Sequence, residues 1–191
     1  MRMKELKALI MTDAYRYTGK RSRKSVLRLY FKTPGFKYTC KIRFAKFCKT
    51  NRYWKILFPL AYLSYRHCMI KFGIGIPYMT TIGEGFYIGH FGGIIVNSNV
   101  VIGKNVNLSH GVTIGKGGGD AGCGKGCPII GDCVYIGPNS TIIGKITIGD
   151  NAAIGANAFV NKDVPGGFTV GGVPAKTISQ KGSIGYIHNK V

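Results

Sequence analysis

Ile130-Gly-Asp-Cys-Val-Tyr-Ile136-Gly-Pro-Asn-Ser-Thr-Ile142-Ile-Gly-Lys-Ile-Thr-Ile148-Gly-Asp-Asn-Ala-Ala-Ile154-Gly-Ala-Asn-Ala-Phe-Val160 sets an aliphatic residue at every sixth position. The beat extends upstream: Ile82 and Ile88 keep it, and it restarts at Val96 with Ile102, Leu108 and Ile114. Glycine follows the aliphatic residue at positions 83, 89, 103, 115, 131, 137, 149 and 155. A strand alternates its side chains between two faces, and glycine tolerates the backbone of a tight corner. Six residues therefore make one short strand and one corner. Three such units close a triangular coil with the aliphatic residues inside. Coils then stack at roughly 4.8 Å, each burying its layer on the next. The period predicts a parallel β-helix; ordinary hairpins rarely hold one phase through six consecutive units.

Two places break the beat. Phe91-Gly-Gly-Ile-Ile95 holds two residues more than the period allows. After Ile114 a glycine-rich excursion, with loop boundaries 115–129, leaves the solenoid. Insertions in solenoids gather on one face, often the functional one. Lys71-Phe-Gly-Ile-Gly-Ile-Pro77 reads as the entry to the repeat, and Val170-Gly-Gly-Val-Pro-Ala-Lys176 as its close. The repeat domain is accordingly expected over 72–178, after a basic, aromatic-rich and mainly helical segment over 1–71. A tail over 179–191 carries no motif.

Charge divides the chain along the same boundary. Of the 191 residues, 1–72 hold 19 Lys/Arg against 2 Asp/Glu, whereas 73–191 hold 8 against 5. Such a field favours anionic partners. No nucleic-acid recognition motif accompanies it, so nucleic acid is not expected. The aromatic faces of residues 1–71 suit an anionic membrane surface or packing on the repeat or on a sister subunit. Phe36, Cys40, Phe44, Phe47 and Cys48 fall on one helical face. The apolar run Trp54–Leu63 is too short to span a bilayer and contains Pro59. The basic start lacks the apolar run of a signal peptide. The expected compartment is therefore the cytoplasm, with peripheral attachment to the inner face of the membrane. The six cysteines are expected to be reduced there. One pair, Cys123 and Cys127, without a second pair or a nearby His is a weak metal signal. No metal site is expected.

Of four histidines, His67 and His188 lie outside the repeat. His90 and His110 each occupy the third position of a hexapeptide, after Ile88 and Leu108. If the two extra residues bulge at the corner, these units are one coil apart on one face. The imidazoles then become outward-pointing neighbours, near the excursion. Imidazole is the side chain whose ordinary titration lies nearest neutrality, which suits a general base.

Ile88-Gly-His90-Phe-Gly-Gly-Ile-Ile-Val, Leu108-Ser-His-Gly-Val-Thr-Ile-Gly115, Cys127-Pro-Ile-Ile-Gly-Asp-Cys-Val-Tyr-Ile-Gly137, Ile154-Gly-Ala-Asn-Ala158 and Gly172-Val-Pro-Ala-Lys176 together resemble the hexapeptide-repeat acyltransferases. Within these the chain is similar to the serine O-acetyltransferase-like branch, which includes enzymes of capsular and exopolysaccharide sugars. The resemblance covers roughly residues 71–178. It implies a mainly β, left-handed β-helix, a homotrimer with sites at subunit junctions, and acetyl-CoA as co-substrate. It implies His90 as the base that takes the acceptor hydroxyl proton, with His110 beside it. Cofactor contacts map to Gly115, Lys116, Pro138, Ala156 and Lys176.

Three departures bear on the acceptor. Serine acetyltransferases carry an aspartate about fifteen residues before the catalytic His, where this chain has Gly75. They carry another aspartate just before that His, where this chain has Gly89. A second active-site histidine corresponds to Cys127 here. Missing groups for a zwitterionic amino acid lead to the expectation of a sugar hydroxyl as acceptor, in a surface polysaccharide or its precursor. Serine O-acetylation and a non-enzymatic membrane-associated scaffold are the alternatives. A carbonic-anhydrase-like metal site would need three histidines in the repeat, which has two.

Overall fold

The computed structural model describes residues 2–118 and 125–191. Four helices come first: α1 (Met3–Thr18), α2 (Arg23–Lys32), α3 (Pro34–Thr50) and α4 (Phe58–Phe72), the last entered through a 3-10 turn at Lys55–Leu57. Each break has a local cause. Gly19 ends α1 at φ 64°, the left-handed conformation common after a helix. Ser22 caps α2, its hydroxyl accepting the Ser25 N–H. Pro34 begins α3, where its missing N–H costs nothing. Phe36, Cys40, Phe47 and Cys48 are buried on α3, with Phe44 half-buried beside them.

From Ile74 the chain winds three faces, with strands β1 to β15 in chain order. The first face holds β1 (Ile74–Gly75), β4 (Ile94–Val96), β7 (Thr113–Gly115), β10 (Thr141–Ile143) and β13 (Phe159–Val160). The second holds β2 (Thr81–Ile82), β5 (Val101–Ile102), β8 (Ile129–Ile130) and β11 (Thr147–Ile148). The third holds β3 (Tyr87–Ile88), β6 (Asn107–Leu108), β9 (Tyr135–Ile136), β12 (Ala153–Ile154), β14 (Thr169–Gly171) and β15 (Lys176–Ser179). Among the described residues only β15 runs antiparallel, to β14, so Val170–Lys176 closes the repeat as a hairpin.

The register stacks like on like. Val96, Ile114, Ile142 and Val160 lie in line on the first face. Ile82, Ile102, Ile130 and Ile148 do so on the second. Ile88, Leu108, Ile136, Ile154 and Val170 do so on the third. Apart from half-buried Ile82, none exceeds 5% exposure. The two extra residues are absorbed at the corner before β4, where Gly92 and Gly93 take φ 105° and 65°. Where glycine follows glycine from coil to coil the corners approach too closely for a side chain: a Cβ on Gly103 would sit 2.6 Å from the Gly131 carbonyl oxygen.

A solenoid's first coil has no coil before it, so its backbone groups need other partners. Side chains of α1 and α3 supply them. The Tyr17 hydroxyl donates to the Ile88 carbonyl and accepts its N–H, both at 3.0 Å. The Tyr38 hydroxyl does the same for Ile76, at 2.8 and 3.1 Å. Asp13 accepts the Phe86 N–H at 2.9 Å, and Arg43 donates to the Gly83 carbonyl at 2.7 Å. Arg43 and Asp13 also form a buried two-pronged pair at 2.5 and 2.9 Å. Burial pushes the Asp13 carboxyl above its usual range, while the Arg43 guanidinium pulls it down. Arg16 donates to the Gly85 carbonyl and to Asn107 Oδ1, both at 2.7 Å.

The tail, motif-less in sequence, returns over the third face. Tyr186 stacks on Tyr135 at 4.2 Å, the Ser183 hydroxyl donates to the Cys133 carbonyl, and Val191 exchanges two hydrogen bonds with the Asn105 side chain. Arg16 Nε reaches the His188 carbonyl at 2.8 Å, tying tail to cap.

Candidate active site

The corner that leads from the third face to the first is one edge of the prism. His90, His110, Pro138 and Ala156 occupy equivalent steps along it, each two residues after a buried aliphatic of the third face. Backbone bonds run up this edge: Gly111 N–H to the Gly92 carbonyl, Asn139 N–H to His110, and Asn157 N–H to Pro138, at 2.9, 3.0 and 2.9 Å. Each corner turns through a positive φ, carried by Gly111, Asn139 and Asn157. Gly111 has a second reason to lack a side chain, because a Cβ there would collide with the Asn139 amide oxygen.

Within this ladder His90 and His110 are exposed neighbours, their rings 5.9 Å apart and nearly perpendicular. The adjacency follows from the register that sets Ile88 opposite Leu108. Beside them lies an aromatic shelf that the sequence reading missed. Phe91 is exposed, and its ring meets that of Phe72 at the end of α4, 5.8 Å away. The signal was Phe91 following His90 directly; its partner lies across the domain boundary.

The other positions that the sequence marks as candidates divide between two edges. Pro138 and Ala156 continue the histidine edge, and Lys176 pairs with Gly171 at its far end. Gly115 and Lys116 stand at the other side of the first face, where β7 gives way to the excursion. The histidines therefore do not adjoin the point where the chain leaves for the excursion, because the width of the first face separates them from Gly115 and Lys116. The neck of the excursion is closed by Gly117 N–H on the Gly126 carbonyl at 3.1 Å. Cys123 lies outside the described residues, and Cys127 is half-buried where the loop returns. Among the described residues, no three of His, Cys, Asp and Glu gather as a metal site.

A cavity of about 380 Å³ lies elsewhere, between α1, α2 and α3, lined by Ile10, Val26, Tyr30, Cys40 and Phe44 with Arg23 and Lys41 at its rim. Its walls are largely hydrocarbon and carry no base beside a nucleophile, so it is a packing seam rather than a reaction site.

Comparison with known proteins places these features. The family described as bacterial transferase hexapeptide (six repeats) matches residues 127–162. The chain is similar to the serine acetyltransferase of Helicobacter pylori (strain J99 / ATCC 700824), 35% identical over 160 residues, which covers 84% of this chain and 88% of that protein. Among solved structures, Neisseria gonorrhoeae serine acetyltransferase in complex with serine aligns with a TM-score of 0.73 and 31% identity, over 93% of this chain and 70% of that one. The coenzyme A complex of serine acetyltransferase from Brucella abortus strain S19 aligns with a TM-score of 0.72 and 27% identity, over 92% and 67%. The fold is the left-handed β-helix of such enzymes. These relatives overturn the sugar acceptor and the kinship with capsular and exopolysaccharide enzymes expected from sequence. That expectation rested on the side chains missing at Gly75, Gly89 and Cys127. A missing side chain removes one contact without supplying another acceptor.

Proposed function

Because the chain belongs to the serine acetyltransferase family, we propose that it transfers an acetyl group from acetyl-CoA to the hydroxyl of L-serine. The observation that carries this reading is the exposed His90–His110 pair on a glycine-cornered edge of the β-helix. As an acyltransferase, the protein is not a mere scaffold.

His90 takes the serine hydroxyl proton as the oxygen attacks the thioester carbonyl carbon. Backbone N–H groups of the glycine-rich corners face the oxyanion that forms there. The carbon–sulfur bond then breaks, and the imidazolium returns its proton to the leaving thiolate. The products are O-acetylserine and CoA. His110, edge-on to His90, holds the acceptor or steadies the base.

The residues present suit the donor. Lys116 and Lys176 are exposed cations that can face phosphates. Pro138 and Ala156 offer small apolar steps for the acyl-bearing arm, and the space beside the Gly115 Cα is open, with nothing within 4 Å of where a Cβ would stand. Since Gly115 and Lys116 lie across the first face from the histidines, a donor touching both sets is shared between two copies. That is the geometry of a homotrimer with a site at each junction. The reaction belongs in the cytoplasm, where this donor is made. Without carboxylates at positions 75 and 89, the serine ammonium has fewer charged partners, so serine should bind weakly and show a high KM.

The test is turnover of acetyl-CoA by the purified protein with and without L-serine, the product identified by mass spectrometry. The expected result is saturable, serine-dependent formation of O-acetylserine. CoA release that ignores serine would overturn the acceptor.

A further inference from the structure

The inner face of α4 is spoken for, with Ala61, Tyr65 and Cys68 buried against the rest of the protein. Its outer face is not polar. Leu60, Leu63 and Ile70 are 67%, 64% and 72% exposed, and Ile56 in the preceding turn is 84% exposed. Their spacing of four, three and seven residues sets them in one stripe along the helix, with His67 between. Single exposed apolar residues are ordinary, but a stripe of them marks an interaction surface.

Charge says what kind of surface it meets. Between Asp13 and Glu84 the chain has no acidic residue and sixteen Lys or Arg. Arg52, Lys55, Arg66 and Lys71 are exposed around the stripe itself. Two copies joined through this face would set like charges against like. A bilayer with anionic headgroups answers both features: aliphatic side chains enter the headgroup boundary while the cations reach phosphates. Among the described residues no helix is long and apolar enough to cross a membrane, which fits a helix lying in the interface. We propose that the stripe on α4 and its preceding turn docks the protein on an anionic phospholipid surface. Docking there holds the acetylation site beside the bilayer, because α4 ends at Phe72, which touches Phe91 next to His90. This inference is independent of the acceptor.

Trp54, the chain's single tryptophan, lies two residues before Ile56 and is part-exposed with its ring against Phe47, so its emission senses the surroundings of the stripe. The experiment is flotation with phosphatidylcholine vesicles, with and without phosphatidylglycerol, read together with Trp54 emission. The expected result is co-flotation and a blue-shifted emission with phosphatidylglycerol vesicles, both weakened by salt. The variant Ile56→Ser/Leu60→Ser/Leu63→Ser should lower partitioning roughly 100-fold while circular dichroism and acetyl transfer in solution stay unchanged. Wild-type protein that stays with the unbound fraction overturns the proposal, as does a triple variant that binds equally well. A triple variant whose sedimentation mass falls while vesicle binding persists also overturns it, showing the stripe to be covered by another copy of the chain.

Discussion

In the β-helix a backbone N–H finds the carbonyl of the next coil, as Asn107 does with Val134 and Thr113 with Ser140. At the helical cap the same need is met by side chains, with Tyr17 serving Ile88, Tyr38 serving Ile76, and Asp13 and Arg43 serving Phe86 and Gly83. The repeat is many similar bonds between similar neighbours, so a fault in one layer is shared by the layers around it. The cap is a few dissimilar bonds, each with one donor and one acceptor. A fault there strands a buried polar group, which costs more than a lost contact. Regular structure tolerates change, whereas the place where regularity stops does not.

The comparison can be broken or sharpened by measurement. The largest effect is expected from His90→Ala, which should lower kcat/KM for acetyl transfer roughly 10²–10⁴-fold. The unfolding transition should not move, since the side chain is exposed; this would place the chemistry in the repeat and leave both regions intact. Next comes Arg43→Ala, which leaves Asp13 buried without its guanidinium and should cost about 3–5 kcal/mol in urea unfolding. Pairing it with Asp13→Leu should recover part of that loss. Within the repeat, Ile136→Ala removes a fully buried side chain and should cost about 3 kcal/mol. If Ile136→Ala proves costlier than Arg43→Ala, the repeat and not the cap is the more fragile partner.

The smallest effect concerns the cap's thiols. Burial pushes the Cys40 thiol well above its ordinary range, to about 12. The unfolded chain then loses this proton first, so Cys40's contribution makes stability fall as pH rises from about 9 towards 12. Alkylation of the native protein near pH 8 should mark Cys127 and Cys133, which are partly exposed, and spare Cys40, Cys48 and Cys68, which are buried. A Cys40 that reacts as fast as Cys133 would mean that the cap opens far more readily than its hydrogen bonds imply.

Much of this was legible in the chain. The six-residue beat named the buried column of each face and set Ile88 beside Leu108, which sufficed to bring His90 and His110 together. The cap was legible as a basic, mainly helical segment with Phe36, Cys40, Phe44, Phe47 and Cys48 on one face, but its role was not. Asp13, Arg16 and Arg43 looked like three charges among many. Nothing local distinguishes an arginine that faces solvent from one that ends a solenoid. The acceptor was misread for a related reason: Gly75, Gly89 and Cys127 mark contacts that are gone, and absent atoms do not specify which molecule binds.

Periodicity is a local property, repeated, so the sequence alone determined the prism, its buried layers and the step at which its histidines stand. Which edge carries the histidines, that Gly115 and Lys116 stand across a face from them, that the tail lies on the third face, and that α4 turns an apolar stripe outward depend on contacts between residues far apart in the chain. Only the tertiary structure decided those, because a side chain's partner is set by what the folded backbone brings to it and not by its neighbours in sequence.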